Sequence, residues 1–176
     1  ADFTVPSAGM LRGLGLGVPL QWLDYDRCVG FVQDRVLYDV GKGRIALATD
    51  AIKGNYGEMA ANRYMAAQGW RNIRREHPLL DINKPTRIGF DGAYTKDGLY
   101  VVDDAKYGGA KLRKTQGYGK QLSQDWVKNH LADGAVPDNH AEAMKAANDK
   151  NSLRRTVTHV DKEGNMRIIN YATKGT

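Results

Sequence analysis

The segment VVDDAKYGG, residues 101–109, runs two β-branched residues into Asp103, Asp104 and, one residue on, Lys106. On a strand, residues two apart share a face, so Asp104 and Lys106 become neighbours while Asp103 points the other way. A third acid, Asp91, lies in GFDGAY, and between the two runs stands Asp97-Gly98, a strong short-range hairpin signal. Asp91 comes six residues before that dipeptide and Asp104 six residues after it, so hairpin pairing sets the two acids nearly opposite one another. Like charges placed that way destabilise a sheet unless a proton or a cation sits between them. A divalent metal answers the problem: two carboxylates offer the oxygen ligands that Mg²⁺ prefers, with Mn²⁺ or Zn²⁺ as alternatives. A neighbouring lysine can orient a water or offset negative charge developing on a phosphoryl oxygen. Glu58, on a helix expected just upstream, is the candidate to complete the metal shell. Asp97 is read as a turn residue and Asp103 as a solvent-facing or salt-bridged acid.

These side chains need elements to hold them. QWLDYDRCVGFVQDRVLYD places Leu23, Cys28, Val32 and Val36 on one helical stripe, ended by the GKG at 41–43. A second helix is capped by Thr49 or Asp50 and runs to Gly69, with Gly54 and Gly57 inside it. Each interior glycine costs about 1 kcal/mol relative to alanine, which suggests that another element approaches closely there. A short strand is expected over residues 70–75, then the hairpin TRIGFDGAYT–KDG–LYVVDDAKYGG. A glycine-rich basic connection leads to a helix in QLSQDWVKNHLAD, with Leu122, Trp126 and Leu131 facing inward. A further helix over residues 138–148 and a hairpin in RRTVTHVDKEGNMRIINYAT complete the pattern. The order predicts an α+β fold with a mixed central sheet flanked by helices. Residues 1–45 are expected to form a linker and helical lead-in, and residues 46–176 the domain proper.

Charge placement narrows the partners. The net charge is +6, yet residues 51–130 alone carry fourteen bases against eight acids, while the stretches on either side are close to balanced. A basic field around a small acidic cluster suits a phosphodiester substrate: cations draw the backbone in and carboxylates hold the metal. Lys53, Lys111, Arg113, Lys114 and Lys120 are the candidate backbone contacts, Tyr107 could stack on a base or sugar, and Ser123 could bond a phosphate or cap a helix. The lone Cys28 excludes an internal disulfide and a multi-cysteine zinc site. His77, His130, His140 and His159 have no helical i, i+3 or i, i+4 partner, which disfavours a histidine–metal nuclease; His159 alone is placed where it could approach a substrate. No run is long and apolar enough for a membrane span, and no signal segment stands at the start.

KGNYGE, GFDGAY, DDAKYGG and GYGKQLSQDW together resemble the PD-(D/E)xK, or restriction-endonuclease-like, nuclease superfamily, and more closely the C-terminal toxin domains of bacterial polymorphic toxins of the contact-dependent growth inhibition or Rhs type. The likeness spans about residues 49–131; Asp91 follows Phe90 rather than the proline of the superfamily's name. The resemblance implies a restriction-endonuclease-like core in which Glu58, Asp91 and Asp104 bind metal, Lys106 is the catalytic lysine, and Gln121 opens the following helix and positions phosphate or water. It also implies secretion as part of a larger effector, action in the target-cell cytoplasm and a cognate immunity protein. The expected activity is metal-dependent endonucleolytic hydrolysis of DNA, since a lysine–metal mechanism needs no 2′-hydroxyl. Cleavage of tRNA by the same fold is the alternative, and a non-catalytic nucleic-acid binding module the outlying one.

Overall fold

Alternation along YVVDDAK builds the central strand of the protein. The computed structural model describes residues 25–85 and 89–171. In chain order the elements are α1 (Tyr25–Gly41), α2 (Asp50–Ala67), β1 (Arg71–Asn72), β2 (Gly92–Lys96), β3 (Leu99–Tyr107), β4 (Lys114–Thr115), β5 (Gly119–Lys120), α3 (Gln124–Ala132), α4 (Asp138–Asp149), β6 (Arg154–Val160) and β7 (Met166–Asn170). The main sheet has the order β1-β2-β3-β6-β7, antiparallel throughout except where β3 meets β6. A parallel pair demands a long crossover, supplied by the β4–β5 ribbon, α3 and α4. The fold is therefore α+β, a mixed five-stranded sheet flanked by helices.

The predicted hairpin forms around Asp97 (φ 51°) and Gly98 (φ 75°), a pair of left-handed residues whose twist matches the flanking strands. Its register pairs Gly92 with Asp103, Tyr94 with Val101 and Lys96 with Leu99. On one face of the sheet Ala93, Val102 and Val157 pack under Trp126, Val127, Leu131 and Met144 of α3 and α4. On the other lies α2, capped by the Thr49 hydroxyl, which accepts from the Ile52 N–H at 3.2 Å. Buried residues occur all round α2, because the sheet covers one side and α1 the other. Although α1 lies within the expected lead-in of residues 1–45, its Val36, Leu37 and Val40 share a core with Tyr56 and Met59 of α2, and Gln33 donates to the Leu79 carbonyl. Leu23 lies outside the described residues. Among the described residues no helix is long and apolar enough to cross a membrane.

Several local expectations are corrected. The strand expected over 70–75 shrinks to two residues, and among the described residues of TRIGFDGAYT the strand runs from Gly92, after Gly89 takes a φ of 136° that other residues rarely adopt. The basic connection after β3 closes into the β4–β5 ribbon. The helix expected from Gln121 starts at Gln124, because Leu122 adopts a left-handed φ of 65° and Ser123 becomes the cap, accepting from the Trp126 N–H. Leu122 is fully buried, and its carbonyl accepts at 2.6 Å from the buried Arg155, which supports this uncommon turn.

The close approach to the glycine-bearing helix comes from β3. A Cβ at Gly57 would stand 3.6–3.7 Å from the backbone of Lys106 and Tyr107, ordinary contact for a methyl and too close for anything branched. Gly57→Ala is thus expected to stabilise the fold by up to about 1 kcal/mol through helix propensity. Gly57→Val is expected to cost about 1–3 kcal/mol by forcing α2 off β3. Urea unfolding of both variants checks the reversal of sign.

Candidate active site

The site forms where β2 and β3 part. Their pairing ends at Gly92 and Asp103, while β3 continues through Tyr107 paired only with β6. The next N–H of β3 due to face β2, that of Ala105, is taken instead by the side chain of Asp91, whose Oδ2 accepts it at 2.8 Å. That bond swings the Asp91 carboxyl onto β3 beside Asp104, near enough for the charge of Asp104 to raise it. Burial raises Asp91 well above the usual carboxylate range, and the charges of Asp104 and Glu58 push it further; the Ala105 N–H and Lys106 pull back. Burial raises Asp104 as well, opposed chiefly by Lys106. The Lys106 ammonium lies 2.9 Å from Asp104 Oδ2 and donates to Gln121 Oε1 at 3.0 Å. Gln121 Oε1 also accepts from the Arg113 N–H at 2.8 Å, so one side chain ties the lysine to the β4–β5 ribbon. The nearly opposite pairing expected of Asp91 and Asp104 is thus what the register continues into.

Above these residues opens a cleft of about 640 Å³. Lys53, Gly54 and Glu58 line it from α2, Lys106 and Tyr107 from β3, and Arg113, Lys114 and Gln121 from the ribbon side. Lys53 stands 6.0 Å from the centre of the Tyr107 ring, which in turn meets Tyr56 edge-on. A second cavity of similar size, between α1, α2 and the β6–β7 turn, has Lys162, Glu163 and Arg63 on its walls and no paired acids.

Not every expected residue converges. Glu58 is directed at Arg74, whose Nη1 donates to its Oε1 at 2.7 Å. Among the described residues no three His, Cys, Asp or Glu side chains gather as a metal-holding group, so in place of the three-acid shell expected from Glu58, Asp91 and Asp104 stands a pair, with Glu58 on the cleft wall paired to Arg74. Lys111, Lys120 and Ser123 lie off the cleft wall, and the Ser123 oxygen is engaged as the α3 cap. Asp103 is not solvent-facing: α2 covers its face of the sheet, it is 1% exposed, and its Oδ1 accepts from the hydroxyls of Thr156 and Thr158 at 2.6 and 2.8 Å. His130 stacks on Tyr118 and abuts Phe90 and Trp126 as a packing residue. His140 pairs with Tyr100, and His159 Nδ1 lies 3.2 Å from the Gly108 carbonyl.

Sequence reasoning missed Arg74. It too lines the cleft, and beyond Glu58 it donates to the carbonyls of Phe90, Asp91 and His77. Nothing in RNIRRE separates it from Arg71 or Arg75.

The donor set fits a hard divalent cation. Two carboxyls, each held above the ordinary carboxylate range even with Lys106 against Asp104, favour further positive charge, and both contribute oxygen. With water in the remaining positions, Asp91 and Asp104 are the residues that could hold Mg²⁺ or Mn²⁺. No protein-family model, curated protein or solved structure gives a significant match to the chain, so its chemistry is read from these residues themselves.

Proposed function

We propose that the protein is a metal-dependent endonuclease that hydrolyses DNA. The observation that carries this reading is Asp91 and Lys106 on the wall of a cleft that also brings Lys53, Arg113 and Lys114, with the buried Asp104 held against Lys106 just beneath. A bound divalent cation supplies Lewis-acid polarisation of the phosphoryl group and an acidified water. The chain's own groups do the rest. Asp91 and Asp104 would hold the cation, and Lys106, held by Asp104 and Gln121, would offset the charge that develops on the phosphoryl group. Lys53, Arg113 and Lys114 pair with flanking phosphates, and Tyr107 offers a ring for stacking. By the resemblance in KGNYGE, GFDGAY and DDAKYGG, the nuclease is the toxin domain of a larger secreted effector, acts in the target-cell cytoplasm and is silenced by a cognate immunity protein.

Metal removal is the direct test. Supercoiled plasmid and total tRNA are incubated in parallel with the protein and Mg²⁺, Mn²⁺, Zn²⁺ or EDTA. Plasmid nicking in Mg²⁺ or Mn²⁺, abolished by EDTA, is the expected result. Cleavage confined to tRNA keeps the chemistry and moves the substrate to RNA. Tight binding of either nucleic acid with no cleavage in any metal overturns the enzyme in favour of a binding module.

A further inference from the structure

We propose that Arg74 and Glu58 form one positioning unit for Asp91, with Glu58 the counter-ion of Arg74, so that Asp91 and Asp104 are the two carboxylate ligands of the cation. The ligand assignment rests on the metal-dependent reading above; the positioning role does not.

Phe90 anchors its side of the segment in the core, but the backbone of Asp91 has no strand pairing to support it. It precedes β2, follows the left-handed Gly89, and lies beyond the last ladder pair between β2 and β3. Arg74 supplies that support: its Nη1 is 2.8 Å from the Phe90 carbonyl and 3.2 Å from that of Asp91, and Nη2 donates to His77. With both backbone carbonyls fixed, the Asp91 side chain can lie across to the Ala105 N–H. The Arg74 side chain is only 7% exposed, and a buried guanidinium needs an anion. Glu58, itself 14% exposed, provides it at 2.7 Å. A cation that drew Glu58 away from Arg74 would strand a buried positive charge and loosen the carbonyls that place Asp91. A carboxylate bound this way shapes the ligand set without joining it, as outer partners of metal sites do.

The test uses the full ¹⁵N-labelled chain. Hydrogen exchange at the Ala105 amide, measured without metal, reports whether Asp91 is in place, and Mn²⁺ titration calorimetry reports the ligand set. Arg74→Met is expected to speed Ala105 exchange about tenfold or more while Val101 and Asp103 on the same strand keep their wild-type rates. It is also expected to weaken Mn²⁺ binding about 10- to 100-fold. Arg74→Lys, which keeps the charge without the fork, serves if the methionine variant does not fold, and is expected to free Ala105 in the same way. Glu58→Gln keeps an oxygen for Arg74 but not the anion, so Ala105 exchange is expected to rise less than in Arg74→Met and Mn²⁺ affinity to fall less than in Asp91→Asn. Unchanged Ala105 exchange in the Arg74 variants, or equal acceleration along all of β3, overturns the positioning role. Loss of Mn²⁺ affinity in Glu58→Gln as large as in Asp91→Asn makes Glu58 a ligand and overturns the assignment. A wild-type chain that binds no Mn²⁺ removes both the metal reading and the ligand assignment, while Ala105 exchange still decides the positioning role.

Discussion

If the protein is the proposed metal-dependent nuclease, Asp91→Asn is expected to lose most of its cleavage and to yield a metal-free protein that melts above the wild type. The two effects have one origin. Asparagine keeps an oxygen for the Ala105 N–H, so the local geometry survives, but it removes the charge that faces Asp104 and Glu58. Burial and those two neighbours hold Asp91 above its ordinary range, so at neutral pH, well above where a free carboxyl titrates, the group is a net cost to the fold. Removing it is expected to return about 1 kcal/mol or more, roughly 2–4 °C in Tm for a chain of this length. Activity moves the other way. With one of two carboxylate ligands gone, the transition state loses its main charge stabilisation, and cleavage should fall by about 10²- to 10³-fold or more. Added Mg²⁺ closes the argument: it raises the wild-type Tm through linkage and leaves that of Asp91→Asn unmoved. A variant that loses activity because it is less stable, or that still gains stability from Mg²⁺, contradicts this account of the site.

What was legible in the sequence follows from local rules that tertiary structure did not override. The Asp97-Gly98 turn sets the hairpin register, the register sets Asp91 opposite Asp104, and strand alternation puts Lys106 beside Asp104. Thr49 and Gly69 likewise mark α2 by capping chemistry, which acts within one turn of the chain. What was not legible depends on layers. Alternation says that Asp103 faces away from Asp104, but only the packing of α2 on that face decides that it is buried rather than wet. Arg74 is one of three similar arginines until the fold brings Glu58, Phe90 and Asp91 around it. Leu122 breaks a local rule, since a bulky residue at positive φ is uncommon, and the break is sustained by Arg155, thirty-three residues away in the chain. That break carries Gln121 out of the helix expected to begin there and onto Lys106.

The buried acid on the far face makes the second large effect a pH dependence of stability. Asp103 is pushed up to about 7, first by burial, against the pull of the Thr156 and Thr158 hydroxyls and with Asp104 adding to the rise. In the unfolded chain the same carboxyl titrates near 3.8. Below pH 4 the group is protonated in both states and its contribution to stability is complete. Between about 4 and 7 the unfolded chain has released the proton that the folded chain keeps, so stability falls as pH rises; above 7 the loss is finished. A separation of this size amounts to a loss on the order of 4 kcal/mol from this group across that window. Asp103→Asn keeps an oxygen for both threonine hydroxyls and cannot ionise, so it should erase this slope while leaving those of other groups. The difference between wild-type and variant urea stability, followed from pH 4 to 8, isolates Asp103: the variant gains steadily on the wild type as pH rises and the gap levels off above pH 7. Parallel stability curves would mean that Asp103 carries its charge inside the fold without penalty. The hydroxyls of Thr156 and Thr158 would then have to offset the whole cost of burial, and the pairing of β3 with β6 would owe part of its strength to a buried anion rather than to apolar contact alone.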